Sequence, residues 1–450
     1  MSRRHDRLGR QRAIPRLWPW TLLVALELGG FVVIAVYIAV SSQRASPLDE
    51  VAHLSYTHYI AVEHRLPVLG RDYHPEPVLA YAFERYPGPS GADPRMLGFG
   101  GYSYEAFQPP LYYVVEVPAF LISPDYRVKI KAMRVEGVLL AAIAGVALLF
   151  TARRVAGRAW PLAAAFGLLA LLMPAVLVRT ALLGQFSLEL LLVTVLVLAA
   201  LHTDRARGRW GVSISVALLA VTALQMAVLL VPSLALAMGE ELRARGWRRT
   251  GVLVAAGHLL PAAVTVLPWL AFNWVTYHAL TAGQVAIQMQ TPIIHPGHNV
   301  LLPRDALAGL LGILHQAFPD EWGASIRSSP VFLAVDLVSP ALLVVLPLTV
   351  ALLLADGESP GSGTRAAILA GPFVVVAATL AVAGVILNWP TWLPRYAGPA
   401  VPALALAFPN GTGVLRWRPG LALAAVTAFA ALLAGVDADL GLRFGGLPPR

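Results

Sequence analysis

LWPWTLLVALELGGFVVIAVYIAV, residues 17–40, is a run of 24 mostly apolar residues entered from Met1–Arg16, a tail with six arginines. A secretory signal has an apolar core of roughly 7–15 residues and a small-residue cleavage site. This run is longer and lacks a clear site, so it reads as an uncleaved first membrane span. The arginine tail then lies on the cytoplasmic side. The rest of the chain agrees: of 450 residues, 57% are hydrophobic and 13% charged, whereas a soluble domain carries about a quarter charged residues. A water-soluble globule, a disordered chain and a coiled coil are excluded. The apolar residues come in long blocks, the pattern of a bundle of membrane-spanning helices. The net charge of +9 does not indicate nucleic acid, because the basic residues sit in short clusters between apolar blocks. With no cysteine, disulfide and thiolate chemistry are absent.

Beyond residue 40 a polar stretch runs to 134. The next apolar blocks are Val135–Thr151, Trp160–Val178, Phe186–Leu201, Trp210–Thr222, Met226–Met238 and Val252–Phe272. A second polar stretch, 273–330, precedes Val331–Leu354, Ala366–Leu387, Tyr396–Phe408 and Leu421–Val436, which makes eleven spans and leaves 437–450 as a tail. The sequence thus predicts an all-α polytopic membrane protein with spans 2–7 in 135–272 and spans 8–11 in 331–436. Pro109–Ile122 is also apolar, and counting it as a span would invert everything after it. Without it, 19 basic residues fall inside and the short outer loops hold only Arg179 and Arg395, as the charge bias requires. Pro109–Ile122 is therefore expected to lie as a short helix in the outer interface, where Tyr112 and Tyr113 suit the headgroup level. Both long polar stretches and the C-terminal tail then lie outside.

Four places could carry chemistry there. Ser46-Pro-Leu-Asp-Glu-Val-Ala-His53 follows the first span. Ser46, Pro47 and Asp49 suit a helix start, and Asp49 or Glu50 could equally be a catalytic carboxylate, with His53 one turn from Asp49. Tyr104-Glu-Ala-Phe-Gln108-Pro-Pro-Leu-Tyr-Tyr113 opens a helix with a double proline and places Glu105 and Gln108 beside that acidic segment. Arg179 begins a polar break, Arg-Thr-Ala-Leu-Leu-Gly-Gln185, where it could snorkel or meet a lipid phosphate. Arg395, followed by Tyr396, sits in a very short outer loop with Trp389 and Trp392. An arginine there runs against the charge bias, and its donor fork suits phosphate. His278, His295, His298, His315, Asp320 and Glu321 in the second outer stretch lack a firm three-ligand spacing. No phosphate-binding loop, dinucleotide fingerprint, zinc-protease helix or nucleophile elbow occurs. The spans carry little charge besides Glu27, Glu189, His258 and Asp336, fewer groups than a proton or ion pathway needs.

In order, spacing and sidedness these motifs resemble the GT-C superfamily of membrane glycosyltransferases, in particular its protein O-mannosyltransferase and aminoarabinose transferase branch. Asp49-Glu50 resembles the acidic pair after the first span. Gln108-Pro-Pro-Leu-Tyr-Tyr113 is similar to the start of a juxtamembrane helix, and Arg395-Tyr-Ala-Gly-Pro-Ala-Val-Pro402 to a late Arg-Tyr-x-x-Pro element. The resemblance implies inverting transfer of a sugar from a polyprenyl-phosphate donor to an acceptor hydroxyl at the outer face of the plasma membrane. Asp49 would be the general base, Glu50 the alternate, and His53 would orient either. Glu105, Gln108 and Tyr396 would line the substrate site, and Arg395, then Arg179, would hold the leaving phosphate. The lipid tail would lie between spans beside 273–330.

The chain departs from its relatives where they often carry an aspartate: it has Gln185, with Glu189 beyond it. That weakens the case for a divalent metal held by two acidic loops, and a metal-free donor of the monophosphate type fits better. Two other classes stay open. A transporter or flippase of a lipid-linked substrate would use the outer arginines without Asp49, and a non-catalytic scaffold of envelope assembly would need Asp49 only as a cap.

Overall fold

The computed structural model describes residues 18–41, 50–85, 101–157, 160–282, 367–376, 379, 398–406, 427–428 and 431. The helices are α1 Trp18–Ser41, α2 Glu50–Ala61, α3 Glu76–Arg85, α4 Leu111–Val115, α5 Val117–Leu121, α6 Tyr126–Ala156, α7 Trp160–Leu171, α8 Pro174–Ala181, α9 Phe186–Ala200, α10 Ala206–Ala220, α11 Leu230–Arg245, α12 Arg249–Gly257, α13 Leu260–Tyr277, α14 Ala367–Val376 and α15 Val401–Ala405. Short 3₁₀ turns, Tyr104–Phe107, Leu224–Leu229 and Gly398–Ala400, precede α4, α11 and α15. Among the described residues no strand forms, and the one β-type pairing is an antiparallel bridge between Tyr73 and Tyr102.

The first span is α1, one residue offset from the apolar block. α6 is longer than the block at Val135–Thr151 because its helix starts nine residues earlier, at Tyr126, where Asp125 caps the end by accepting from the Arg127 amide at 2.8 Å. The block Trp160–Val178 is two helices, α7 and α8, with Pro174 opening the second. Val252–Phe272 is likewise a pair, α12 and α13, bent by 41°. Among the described residues α1, α6 and the segment Leu224–Arg245 are each long and apolar enough to cross a membrane, the bent pair adds a fourth, and α7, α9 and α14 are shorter apolar helices. The block Trp210–Thr222 corresponds to α10, and the predicted spans 8–11 and the tail 437–450 lie wholly or partly outside the described residues.

Two features mark the bundle as one that sits in lipid. On α6, Leu139, Ile143, Val146 and Phe150 are exposed at steps of four, three and four residues, and Leu260, Val264 and Leu267 repeat this on α13. Such apolar stripes face the solvent of the fold, here hydrocarbon. The opposite faces pack into a core built from α1, α6, α7, α8, α9 and α15 and a second one that joins α2, α4 and α5 to α9 and α10. At the end of the bundle where α11 meets α12, the buried Glu241 gathers Arg209, Arg245 and His258, which ties α10, α11 and the bent pair together.

Pro109–Ile122 is not the single interfacial helix that its composition suggests. Pro118 has no N–H to give the Val114 carbonyl, and the segment breaks into α4 and α5 at Glu116. Tyr112 and Tyr113 are 1% and 0% exposed. They face α2 rather than a headgroup layer, because α4 is roofed by the first-loop helix.

Candidate functional site

α2 is almost wholly buried; Glu50 through Tyr59 are all covered. Its first turn is fixed by Glu50. The Glu50 carboxylate accepts Arg134 Nε at 2.8 Å and Nη2 at 2.7 Å, and the Leu183 amide donates to it at 2.7 Å. Both side chains are 1% exposed. A two-pronged guanidinium–carboxylate pair with a third donor satisfies the buried charge. It joins α2 to α6 and to the loop after α8, and Arg134 also reaches the Ala39 carbonyl of α1 at 3.4 Å.

One turn further along α2, a second cluster centres on the Tyr113 hydroxyl. His53 Nδ1 lies 3.1 Å away, Gln185 Nε2 donates at 3.0 Å, and the hydroxyl donates to Glu105 Oε2 at 3.4 Å. His53 Nε2 is 4.0 Å from Glu105 Oε1. The Tyr113 ring stacks on Tyr56 at 3.8 Å, and Tyr112 takes the Gly184 amide at 2.9 Å. Burial, then the charge on Glu105, holds the Tyr113 phenol well above its ordinary range against the pull of Gln185. Tyr113 is therefore a neutral donor and acceptor. Gln108 stands beside this cluster: its carbonyl accepts from Tyr56 at 3.2 Å and its side-chain oxygen from the Leu224 amide at 3.4 Å.

The structure thus brings together His53, Glu105, Gln108 and the end of the 179–185 break, four of the places singled out in the sequence. Arg179 is half-buried in the last turn of α8, five residues before Gly184. Glu189 is buried on α9 and accepts from Gln225 at 2.9 Å. Asp49, Arg395 and Tyr396 lie outside the described residues. Asp49 directly precedes Glu50. Three residues after Arg395, Gly398 meets Phe186, the residue after Gln185, so closely that a methyl group on Gly398 would come 2.9 Å from that ring. Among the described residues no three His, Asp or Glu side chains converge as metal ligands.

Three residues of these clusters escape a reading of the sequence. Arg134 falls at the end of the polar stretch, where no spacing in the sequence links it to Glu50. From its sequence Tyr113 belongs to the interface, and Gln185 stands only where an aspartate is expected.

No protein-family model matches the chain, and no curated protein matches it in sequence. The fold does have a counterpart. The crystal structure of ArnT from Cupriavidus metallidurans bound to undecaprenyl phosphate aligns with a TM-score of 0.51 at 14% identity, over 94% of this chain and 77% of that one. The chain has the fold of ArnT. The match agrees with the all-α polytopic fold expected from the sequence. The apo crystal structure of ArnT aligns with a TM-score of 0.37 at 15% identity, over 93% of this chain and 76% of that one.

Proposed function

We propose that the protein is an integral membrane glycosyltransferase that moves a sugar from a polyprenyl-phosphate carrier to an acceptor hydroxyl. Transfer is inverting, with Asp49 as general base. The reaction takes place on the outer face of the plasma membrane, with the N-terminus in the cytoplasm. The observation that carries this reading is the fold: ArnT was crystallised with undecaprenyl phosphate, and the same fold here holds a buried polar cluster one helical turn beyond Glu50.

Asp49 removes the proton of the acceptor hydroxyl as the oxygen attacks the anomeric carbon. The carbon–phosphate oxygen bond breaks and the polyprenyl phosphate leaves with the electron pair. The leaving phosphate gains charge at the membrane surface and needs a preorganised cation. Arg395 supplies it, with Arg179 in support. Glu50 is not a second base in this scheme. Its oxygens are committed to Arg134 and the Leu183 amide, and its part is to hold the residue before it. His53, Glu105, Gln108 and Tyr396 line the sugar side. No step needs a divalent ion.

The test is transfer in proteoliposomes with polyprenyl-phosphate sugars as donors. Asp49→Asn keeps expression and thermal stability and abolishes transfer, and chelation with EDTA leaves the wild-type rate intact. Near wild-type turnover in Asp49→Asn overturns the assignment and favours a transporter of lipid-linked substrates. Loss of thermal stability in that variant, with no transfer by the wild type, favours a scaffold.

A further inference from the structure

α6 joins two ends of the bundle that carry different chemistry. Near its start, Arg134 pairs with Glu50 at the candidate site. Near its end, Arg154 donates to the Leu201 carbonyl at 3.1 Å and lies 3.6 Å from Asp204, in the connection from α9 to α10. At about 1.5 Å per residue the helix rises about 30 Å between these two arginines, the thickness of a hydrocarbon core. The Arg154 end is therefore the membrane surface opposite the site. Arg209, in the first turn of α10, pairs there with Glu241 near the end of α11, which brings the turn from α11 to α12 to the same surface. That turn reads Arg243-Ala-Arg-Gly-Trp247-Arg-Arg249. Trp247 is 82% exposed, more than any other large apolar side chain among the described residues. Glu240 answers Arg243 at 2.7 Å, in an exposed pair that is worth little, and Glu241 answers both Arg209 and Arg245. Arg248 and Arg249 are exposed and enter no ion pair among the described residues. Five guanidinium groups thus share two carboxylates. The exposed surface changes to hydrocarbon at once, at Val252 and Leu253 of α12.

We propose that the α11–α12 turn is a binding surface for the phosphate of an anionic phospholipid, the class whose headgroup keeps a net negative charge. Arg248 and Arg249 present planar donor forks to the phosphate oxygens. Trp247 sits at the boundary of headgroup and acyl chain, where an indole keeps its ring in hydrocarbon and its N–H in the polar layer. The turn joins two segments that are long and apolar enough to cross a membrane, Leu224–Arg245 and the bent pair α12–α13, so a headgroup layer surrounds it. The surplus of positive charge selects an anionic headgroup over a zwitterionic one, whose phosphate is already matched by its own cation. A soluble polyanion would meet the guanidinium groups but would give Trp247, Val252 and Leu253 nothing to enter. The inference stands apart from the transfer reaction, since the turn lies a membrane's thickness from the site.

The chain has no cysteine, so Thr250→Cys, exposed beside the two arginines, takes a single bimane label. The labelled full-length protein is reconstituted in phosphatidylcholine vesicles. These contain, at equal mole fraction, either phosphatidylglycerol or phosphatidylcholine with a nitroxide on the acyl chain just below the headgroup. Quenching is expected to report phosphatidylglycerol enriched at the turn about fivefold, the factor that one arginine contributes at a charged membrane surface. Arg248→Gln combined with Arg249→Gln abolishes the enrichment. If that double variant fails to insert, salt tests the same arginines without a further mutation: at about 1 M, where the screening length is about 3 Å, the enrichment collapses. Equal quenching by the two lipids, or enrichment that survives the double variant or the salt, overturns the inference. Enrichment that millimolar glycerol phosphate in the buffer competes away also overturns it, because the turn would then be a site for a soluble anion.

Discussion

Arg134 of α6 and Glu50 of α2 form a two-pronged ion pair. Each is 1% exposed. Breaking a buried pair by removing one partner costs about 3–5 kcal/mol. Arg134→Ala is therefore expected to lower the melting temperature of the detergent-solubilised protein sharply. Glu50→Gln, which still accepts the Leu183 amide, does so less. A melting curve for Arg134→Ala that overlays the wild type would show that the pair does not anchor α2. The residues legible in the sequence were those whose chemistry is unusual for their place: Glu50, His53, Glu105 and Gln108 are polar groups beside apolar blocks. Their division of labour was not legible. Glu50 passes from candidate base to anchor only when Arg134, 84 residues away, is seen beside it, and no spacing rule connects the two.

The elements around the site are shaped by prolines and close approaches more than by apolar periodicity. Block lengths predicted α1 and α9 closely because both run without a breaker. Pro118 and Pro174 were visible in the sequence as breakers, yet the apolar runs that carry them read as continuous, because hydropathy does not register a missing N–H. The approach of Gly398 to Phe186 is of the same kind: α15 and its leading turn press on α9 at a point where any side chain collides. Gly398→Ala is expected to push the 398–405 segment off Phe186, lowering transfer several-fold and the melting temperature slightly, by about 1 °C per kcal/mol lost in a chain of this length. Calorimetry and the transfer assay on that single variant check both. Full activity would mean that the segment after Arg395 does not help to shape the site.

At the scale of the whole molecule, the loop between α1 and α6 carries a pH dependence. Burial lowers the His74 imidazole from its ordinary 6.5 to about 4, and its Nδ1 lies 2.7 Å from Ser55 Oγ, which donates to the Val51 carbonyl. Burial also lowers His58, assisted by Lys129 and opposed by Glu63. The folded chain binds these protons more weakly than the unfolded one. The stability they contribute is therefore whole above about pH 6.5 and is lost as pH falls towards 4. For His74 alone the shift is worth about 3 kcal/mol. Asp72 adds to the loss only at lower pH: burial opposes its ionisation, but Arg65 and the Val68 amide outweigh it and hold the carboxyl below its ordinary value. Thermal melts between pH 7 and 4 should fall steadily, and His74→Gln should flatten the slope. The membrane class and the all-helical fold were legible from composition and block length because lipid leaves a chain few alternatives. The roof that α2 places over α4 was not, since buried loop helices carry polar and aromatic residues that look solvent-facing in one dimension. The measurement that tests the central claim most directly is a structure of this chain with undecaprenyl phosphate bound. The phosphate is expected at the outer end of the bundle beside the His53–Tyr113–Glu105 cluster, held by Arg395 and within reach of Asp49. A phosphate far from both Asp49 and Arg395 would contradict the account.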